Sequence, residues 1–267
     1  MRAVCRDEEA LSLANSGGVQ EVSAFGEGRR ARASIQEQDA DGQGGADQRS
    51  PRQPTLRLDD FALLGQGKLR LRDGAPPVRL SRSGTPLMVW DTETTGFGAA
   101  AVCQIAYLVI EHGSVRCEDH IVRLPNGFRI SDQATQIHGI TQHMSDMGED
   151  PLGVLQSFVR DVESIVRKGG RCVGHNVGYD VRAVNTTLVA LGQGAALHVA
   201  DQFDTMQMSR RFSPLRTKND RAKAFKLCEL YEHLYHTCPG WARLHDAMED
   251  VIVTTLCYQQ AEEQGWW

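Results

Sequence analysis

Two acidic side chains, Asp91 and Glu93, follow a short apolar run at Leu87–Trp90 that is typical of a buried β-strand. In an extended chain, side chains two residues apart point to the same side, so both carboxylates are expected to face one site. Carboxylates this close repel each other unless a cation neutralises them. Mg²⁺ or Mn²⁺ suits such oxygen ligands and also binds phosphate. By itself, however, an Asp-x-Glu pair is more often part of a solvated surface.

Two further segments add acidic and histidine side chains at the ends of predicted elements. One follows the stretch Arg171–Gly174, which predicts another strand, and the other opens the last predicted helix at His245–Glu263. Carboxylates can bind a metal ion, and an imidazole can accept a proton near neutral pH. The residues are His175, Asn176 and Asp180 in the first segment and His245 and Asp250 in the second.

Together, the three segments resemble the exonuclease motifs of the DEDDh (DnaQ-like) 3′–5′ exonucleases. The matching patterns are Asp-x-Glu at 91–93, His-Asn followed by Asp at 175–180, and His-x-Ala-x-x-Asp at 245–250. Shorter likenesses to the same family are found at Ile137–Thr141, Asp204–Met206 and Lys226–Leu230. The resemblance covers about residues 86–263, and it is specific because three motifs occur in the family's order.

The resemblance implies a ribonuclease H-like fold and a mechanism with two Mg²⁺ ions about 4 Å apart, which Mn²⁺ could replace. One ion would activate a water molecule and the other would stabilise the leaving 3′ oxygen, while His245 would accept the proton of that water. The metal ligands that it implies are Asp91, Glu93, Asp180 and Asp250. The contacts to the terminal nucleotide or its backbone that it implies are Thr94, Thr95, Asn176 and His138.

The function that follows from the resemblance is 3′–5′ exonuclease activity on the 3′ end of single-stranded DNA or RNA, with release of nucleoside 5′-monophosphates. An RNA-trimming exoribonuclease or an oligoribonuclease would use the same scaffold and the same acids. A catalytically inactive nucleic-acid-binding module is the alternative from another class of protein. It is disfavoured because the four acids and the histidine are all present.

One α/β domain must position these side chains, and the predicted elements supply it. Runs rich in apolar residues predict strands at 87–90, 102–111, 120–124, 171–174 and 199–204. Apolar residues at helical spacing predict helices over 152–166, 179–191, 226–234 and 245–263. This order predicts a mixed five-stranded sheet flanked by helices.

Residues 1–84 are predicted to be a largely disordered N-terminal extension, and residues 85–267 to be the exonuclease domain. The extension has only two aromatic residues, and runs such as Gln36–Ser50 are too polar to bury a core. The sequence leaves open whether a short piece around Leu56–Leu71 is ordered. We expect any protein partner to bind this extension, and the sequence does not indicate an oligomeric state.

The charge of the chain is unevenly distributed. Residues 85–267 contain 16 Lys and Arg against 22 Asp and Glu, and seven of the 16 lie between Arg210 and Lys226. Such a run is typical of a solvated surface, and it would equally well bind the phosphate backbone of a nucleic acid.

The sequence also suggests a compartment. Its seven cysteines are irregularly spaced, its start lacks a secretory signal, and no apolar stretch reaches about 20 residues. These features predict an intracellular protein without membrane contact, cytoplasmic or nuclear, with organellar targeting left open.

Overall fold

The structure, a computed structural model, describes residues 62–63, 68–71, 73–80 and 85–267. The strands in these ranges are β1 (Ala62–Leu63), β2 (Lys68–Arg70), β3 (Val78–Arg79), β4 (Leu87–Thr94), β5 (Val102–Glu111), β6 (Ser114–Ile121), β7 (Arg171–Gly174) and β8 (Gln202–Asp204). The helices are α1 (Asp132–His138), α2 (Gln142–Asp146), α3 (Pro151–Arg167), α4 (Val177–Ala190), α5 (Thr205–Ser209), α6 (Leu227–Tyr235) and α7 (Ala247–Glu263).

The main sheet has five strands in the order β6-β5-β4-β7-β8. Its central strand, β4, pairs antiparallel with β5 and parallel with β7, and β8 continues the parallel side. A two-residue turn joins β5 to β6, where His112 and Gly113 have φ values of 50° and 76°. Positive φ at both positions is what a type I′ hairpin turn requires. The predicted fold class, a mixed five-stranded sheet flanked by helices, is confirmed.

Both faces of β4 are buried, because successive side chains of a strand point to opposite sides. Met88 and Trp90 lie in the core that α3 covers, and the rings of Trp90 and Phe158 are 4.9 Å apart. Val89 lies in the opposite core together with Val251 of α7. The residues of β4 therefore alternate between an α3–α4 face and an α7 face, and this alternation continues to the end of the strand.

Several elements differ from the sequence prediction. The third strand was predicted at 120–124, but β6 begins earlier because buried Val115 and Cys117 alternate with polar residues. The predicted strand at 199–204 is a 3-10 turn at Val199–Asp201 followed by the short β8. The short helices α1 and α2 had no predicted counterpart. No helix in the described ranges is long and apolar enough to cross a membrane.

Strands β1–β3 form a separate antiparallel sheet that lies within the predicted N-terminal extension and overlaps the short ordered piece expected there. Arg79 N–H donates to Gln259 Oε1 at 2.8 Å, and Gln259 Nε2 donates to Arg79 O at 2.9 Å, which ties β3 to α7. The side chains of this segment that are buried in the α7 core are Leu71, Ala75, Val78 and Leu80. A domain boundary at residue 84 stays a prediction, and a cut there would break this packing. Most of residues 1–84, where disorder was predicted, lie outside the described residues.

Candidate active site

The last residues of β4 direct polar groups to both faces of the sheet. Asp91 and Glu93 alternate in register with Val89, so they belong to the α7 face. Thr92 points to the other face, where its hydroxyl donates a 2.6 Å hydrogen bond to Oδ1 of Asp180 in the first turn of α4. The end of β4 therefore presents Asp91 and Glu93 toward α7 on one face of the sheet and holds Asp180 of α4 on the other face.

The start of α7 adds a histidine and a fourth acid. Carboxylate oxygens of Glu93 and Asp250 and a ring nitrogen of His245 all lie within 4.8 Å of one another. The His245 N–H also donates to Oδ2 of Asp250 at 3.2 Å. His245 has a φ of 65°, which is uncommon for a residue with a side chain. This conformation turns the chain sharply just before the helix and places the imidazole over the acids.

The acids hold their protons more tightly than isolated carboxyls do. Burial raises the pKa of Asp91 well above its usual value, and the charges of Asp180, Asp250 and Glu93 raise it further. Burial, with the charges of Asp250 and Asp180, has the same effect on the pKa of Glu93. Burial raises the pKa of Asp180 to about 7, although the hydrogen bond from Thr92 opposes the rise. A hard divalent cation among these oxygens would relieve the repulsion, so the donor set fits such a cation.

A buried glutamine fixes the start of α7 to the sheet. Gln104 lies directly opposite Glu93 in the β4–β5 pair. Its Oε1 accepts the N–H of Ala247 at 3.4 Å, and its Nε2 donates to Oδ1 of Asp119 at 2.7 Å. The sequence analysis assigned no role to Gln104. The available signal was one polar residue inside an otherwise apolar strand.

The predicted nucleotide contacts Thr94 and Thr95 are held in place by the loop that follows β4. Thr94 Oγ1 lies 2.8 Å from the hydroxyl of Tyr179, and that hydroxyl donates to the carbonyl of Gly96 at 2.7 Å. Thr95 Oγ1 accepts the N–H of Ala101 at 3.1 Å. Tyr179 was missed by the sequence analysis, although it is adjacent to Asp180. The binding of a nucleotide by the two threonines stays a prediction.

His138, another predicted nucleotide contact, has both ring nitrogens engaged by the backbone. Nδ1 accepts the N–H of Ile140 at 3.0 Å, so the proton is on Nε2, which donates to the carbonyl of Thr94 at 3.1 Å. Burial lowers the pKa of His138, which keeps the ring neutral. In this structure His138 positions the strand end, and direct contact with substrate stays a prediction.

The second motif segment is fixed to the neighbouring strand, β8. Asn176 is exposed, has a φ of 63° and donates its N–H to Oδ1 of Asp204 at 3.1 Å. The ring of His175 lies between Thr205 Oγ1, at 3.0 Å from Nδ1, and the carbonyl of Phe225, at 3.2 Å from Nε2. Burial lowers the pKa of His175 to about 4, so this ring is a neutral structural link. The exposed Asn176 remains the predicted substrate contact of the segment.

A cation that the sequence analysis did not consider lies beside the site. Arg243 is exposed and stands two residues before His245. Its Nη2 would be 2.7 Å from a Cβ placed on Gly139, which ends α1 with a φ of 78°. The left-handed backbone conformation favours glycine there, and the guanidinium lies close against its Cα. The signal in the sequence was that Arg243 is the only Lys or Arg after Lys226.

Solved structures share this fold. Escherichia coli exonuclease I in complex with a dT13 oligonucleotide aligns with 17% identity and a TM-score of 0.52, over 67% of this chain and 41% of that one. The cell-death related nuclease CRN-4 aligns with 17% identity and a TM-score of 0.51, over 68% of this chain and 64% of that one. Exonuclease I from Methylocaldum szegediense aligns with 17% identity and a TM-score of 0.50, over 67% of this chain and 40% of that one. The chain thus spans about two fifths of exonuclease I.

The family assignment comes from the sequence. A search among curated proteins finds no match. The family model RNase_T, described as an exonuclease, matches residues 88–258, which is more than half of the chain. The matched region contains the three motif segments and runs from β4 into the last turns of α7. This chain belongs to the RNase_T exonuclease family, the DEDDh (DnaQ-like) exonucleases whose motifs its sequence carries.

Proposed function

We propose that this chain is a metal-dependent 3′–5′ exonuclease that hydrolyses phosphodiester bonds of DNA or RNA and releases nucleoside 5′-monophosphates. The observation that carries the proposal is the meeting of Glu93, His245 and Asp250 within 4.8 Å. Asp91 and Asp180, whose pKa values are raised, lie at the same strand end. Buried carboxylates that repel one another destabilise a fold, and such clusters are concentrated at functional sites.

The residues that would hold the cations are the four carboxylates of the motifs. Mg²⁺ is the first choice and Mn²⁺ the substitute, because the donors are hard oxygens and the substrate is a phosphodiester. When bound, two such ions supply a more acidic water molecule and neutralise charge on the leaving 3′ oxygen. The four residues are Asp91, Glu93, Asp180 and Asp250.

His245 is the proposed general base. Its ring nitrogen stands beside the carboxylates that would face the scissile phosphate, and it takes the proton of the attacking water. The hydrogen bond from the His245 N–H to Asp250 fixes the backbone from which the imidazole projects. Gln104 is a positioning residue. It lies opposite Glu93 in the sheet and holds the start of α7 there through its hydrogen bond with the Ala247 N–H.

The end of β4 and the loop after it are the proposed binding site of the 3′-terminal nucleotide. Thr94 and Thr95 lie directly after the acids, and Asn176 is an exposed amide at the end of the neighbouring strand. The polarity of the reaction is supported by the family's motif order. The same acids would serve DNA and RNA, so the preference between them depends on contacts with the sugar.

A cleavage assay with end-labelled single-stranded DNA, duplex DNA and RNA tests the proposal. We expect hydrolysis with Mg²⁺, none in EDTA, and recovery when Mg²⁺ is added in excess. Glu93→Gln should lose most of the rate, whereas Glu163→Gln, which removes an exposed carboxylate on α3, should not. Full activity in EDTA, or equal rates for the two variants, would refute the metal-dependent mechanism. A wild-type protein that binds but never cleaves would support the inactive binding module.

A further inference from the structure

The largest concentration of positive charge in the described chain is the segment 210–226, here called the basic loop. It contains seven Lys and Arg and one acid, Asp220, whereas the rest of residues 85–267 contains nine Lys and Arg against 21 Asp and Glu. The basic loop is therefore cationic within a domain that is otherwise strongly acidic. Its sequence alone left open whether it is a solvated surface or a track for phosphates.

The basic loop is a folded hairpin. Arg216 and Ala222 form an antiparallel bridge, and Thr217 N–H donates to the carbonyl of Arg221 at 2.8 Å. Lys223 N–H donates to the carbonyl of Leu215 at 3.0 Å. These bonds fix the backbone from which the cationic side chains project, which reduces the entropy lost when a ligand binds the loop.

Most of its cationic groups are left available. Lys223 forms an ion pair with Glu229 at 2.9 Å. Arg210 and Arg216 donate to backbone carbonyls of the hairpin itself, which leaves their charge uncompensated. The exposed cations of the loop that pair with no carboxylate in the described part of the chain are Arg210, Arg216, Lys218, Arg221 and Arg211, whose guanidinium donates to the carbonyl of Trp266.

Both ends of the basic loop are anchored next to the second motif segment. On the N-terminal side, Asp204 caps α5 and also accepts the N–H of Asn176 at 3.1 Å. On the C-terminal side, the carbonyl of Phe225 accepts a hydrogen bond from His175 Nε2 at 3.2 Å. The hairpin therefore emerges beside the end of β7, from which α4 carries Asp180 into the site.

We propose that the basic loop binds the phosphodiester backbone of the single strand whose 3′ end occupies the site, several nucleotides before that end. This inference rests on the proposed function. A polyanion that approaches an acidic domain is repelled except where cations are concentrated, and Lys and Arg gain affinity by displacing the strand's counterions. The basic loop is such a place, and of its cations Lys223 is paired with a carboxylate, Glu229, whereas Arg210, Arg216, Lys218 and Arg221 form no ion pair within the described residues.

The test compares Lys218→Gln/Arg221→Gln with the matched control Arg160→Gln/Arg167→Gln. The side chains of Lys218 and Arg221 make no hydrogen bond within the described chain, so the hairpin should keep its fold. The control arginines are also exposed, and they lie on α3, which leads into the start of β7, whereas the hairpin emerges beside the end of that strand. Affinity for a fluorescent 20-nucleotide single strand is measured in EDTA at several salt concentrations. Hydrolysis of a nitrophenyl ester of thymidine 5′-monophosphate is measured with Mg²⁺.

For the basic-loop variant we expect weaker binding of the 20-mer and a salt-dependence slope reduced by about 1.4, since each phosphate contact to a single strand contributes about 0.7. The short ester does not reach the loop, so its hydrolysis should be unchanged, and the control should match the wild type in both assays. An unchanged slope and affinity would overturn the inference, and the loop would then face another anion, such as an acidic protein segment. If the wild type, with Mg²⁺, hydrolyses neither the ester nor the 20-mer, the proposed function fails instead.

Discussion

The hydroxyl of Thr92 donates a 2.6 Å hydrogen bond to Oδ1 of Asp180 and thereby connects β4 to the first turn of α4. Its neighbours Asp91 and Glu93 face α7 on the other side of the sheet. The middle residue of the first motif thus orients the acid of the second motif. It also lowers the pKa of Asp180 against the effect of burial, which favours the charged form that a cation requires.

Thr92→Val removes this hydrogen bond and keeps the shape of the side chain. We expect the pKa of Asp180 to rise further, so activity at pH 7 should fall more than activity at pH 8.5. Loss of one partner of a buried hydrogen bond typically costs about 1–3 kcal/mol of stability. The matched control is Thr255→Val, whose hydroxyl only bonds the carbonyl of Val251 within α7. A pH–rate profile identical to that of the control would show that Thr92 does not act on Asp180.

The raised pKa of Asp180, about 7, predicts how the metal-free protein responds to pH. The folded state binds this proton more tightly than the unfolded state, so its stabilising contribution is complete below about pH 4 and is lost as pH rises through about 7. In EDTA, the free energy of unfolding should therefore decrease over this range, and Asp180→Asn should show a smaller decrease. Urea denaturation at pH 5 and pH 8 measures this. The exposed Asp201→Asn is the control, and equal pH dependence in the two variants would contradict the prediction.

His245→Ala should reduce turnover by about 10²- to 10⁴-fold, the usual contribution of a positioned general base. Metal and DNA affinity should change little, because the four carboxylates remain. Steady-state kinetics and binding titrations, with the exposed His143→Ala on α2 as control, measure both effects. Near-normal turnover, or a loss confined to KM, would remove His245 from the role of base.

Deletion of residues 1–84 tests the proposed domain boundary. The composition of residues 1–84 by itself predicts that the catalytic core stays folded without them. The burial of Leu71, Val78 and Leu80 leads us to expect a loss of stability, because each fully buried Leu or Val contributes roughly 1.5–3 kcal/mol. Deletion of residues 1–61 should have a much smaller effect. Urea denaturation of both truncated chains decides between these expectations, and equal midpoints would restore the boundary at residue 84.

The strands and helices that carry the acids could be predicted from local pattern. The apolar run before Asp91 follows from burial of both faces of β4, and the helical spacing within α3 follows from burial of one face of that helix. The apolar residues of α7 follow from burial on nearly all of its sides. The resemblance of the motifs then predicted that the acids and His245 lie in one site. In the structure, ligand atoms of Glu93, His245 and Asp250 lie within 4.8 Å of one another.

The supporting contacts could not be predicted, because they depend on residues far apart in the chain. Gln104 meets Ala247 across 143 positions, and Arg243 lies against Gly139. The predicted start of strand β6 was wrong because the strand buries only one face. Its few apolar residues alternate with charged ones, so they do not form an apolar run. The packing of residues 71–80 was missed for a related reason. A few apolar side chains are enough to order a segment when they can pack on an apolar surface that another element, here α7, already presents.

The identity of the first product distinguishes a 3′–5′ exonuclease from every other kind of nuclease. A single-stranded 20-mer that carries one label on its 3′-terminal nucleotide and another at its 5′ end is mixed with excess enzyme, and Mg²⁺ starts one turnover. We expect the first product to be the 3′-labelled nucleoside 5′-monophosphate, while the 5′ label stays in strands that shorten one nucleotide at a time. Release of the 5′ label first, or the early appearance of internal fragments, would contradict a 3′–5′ exonuclease.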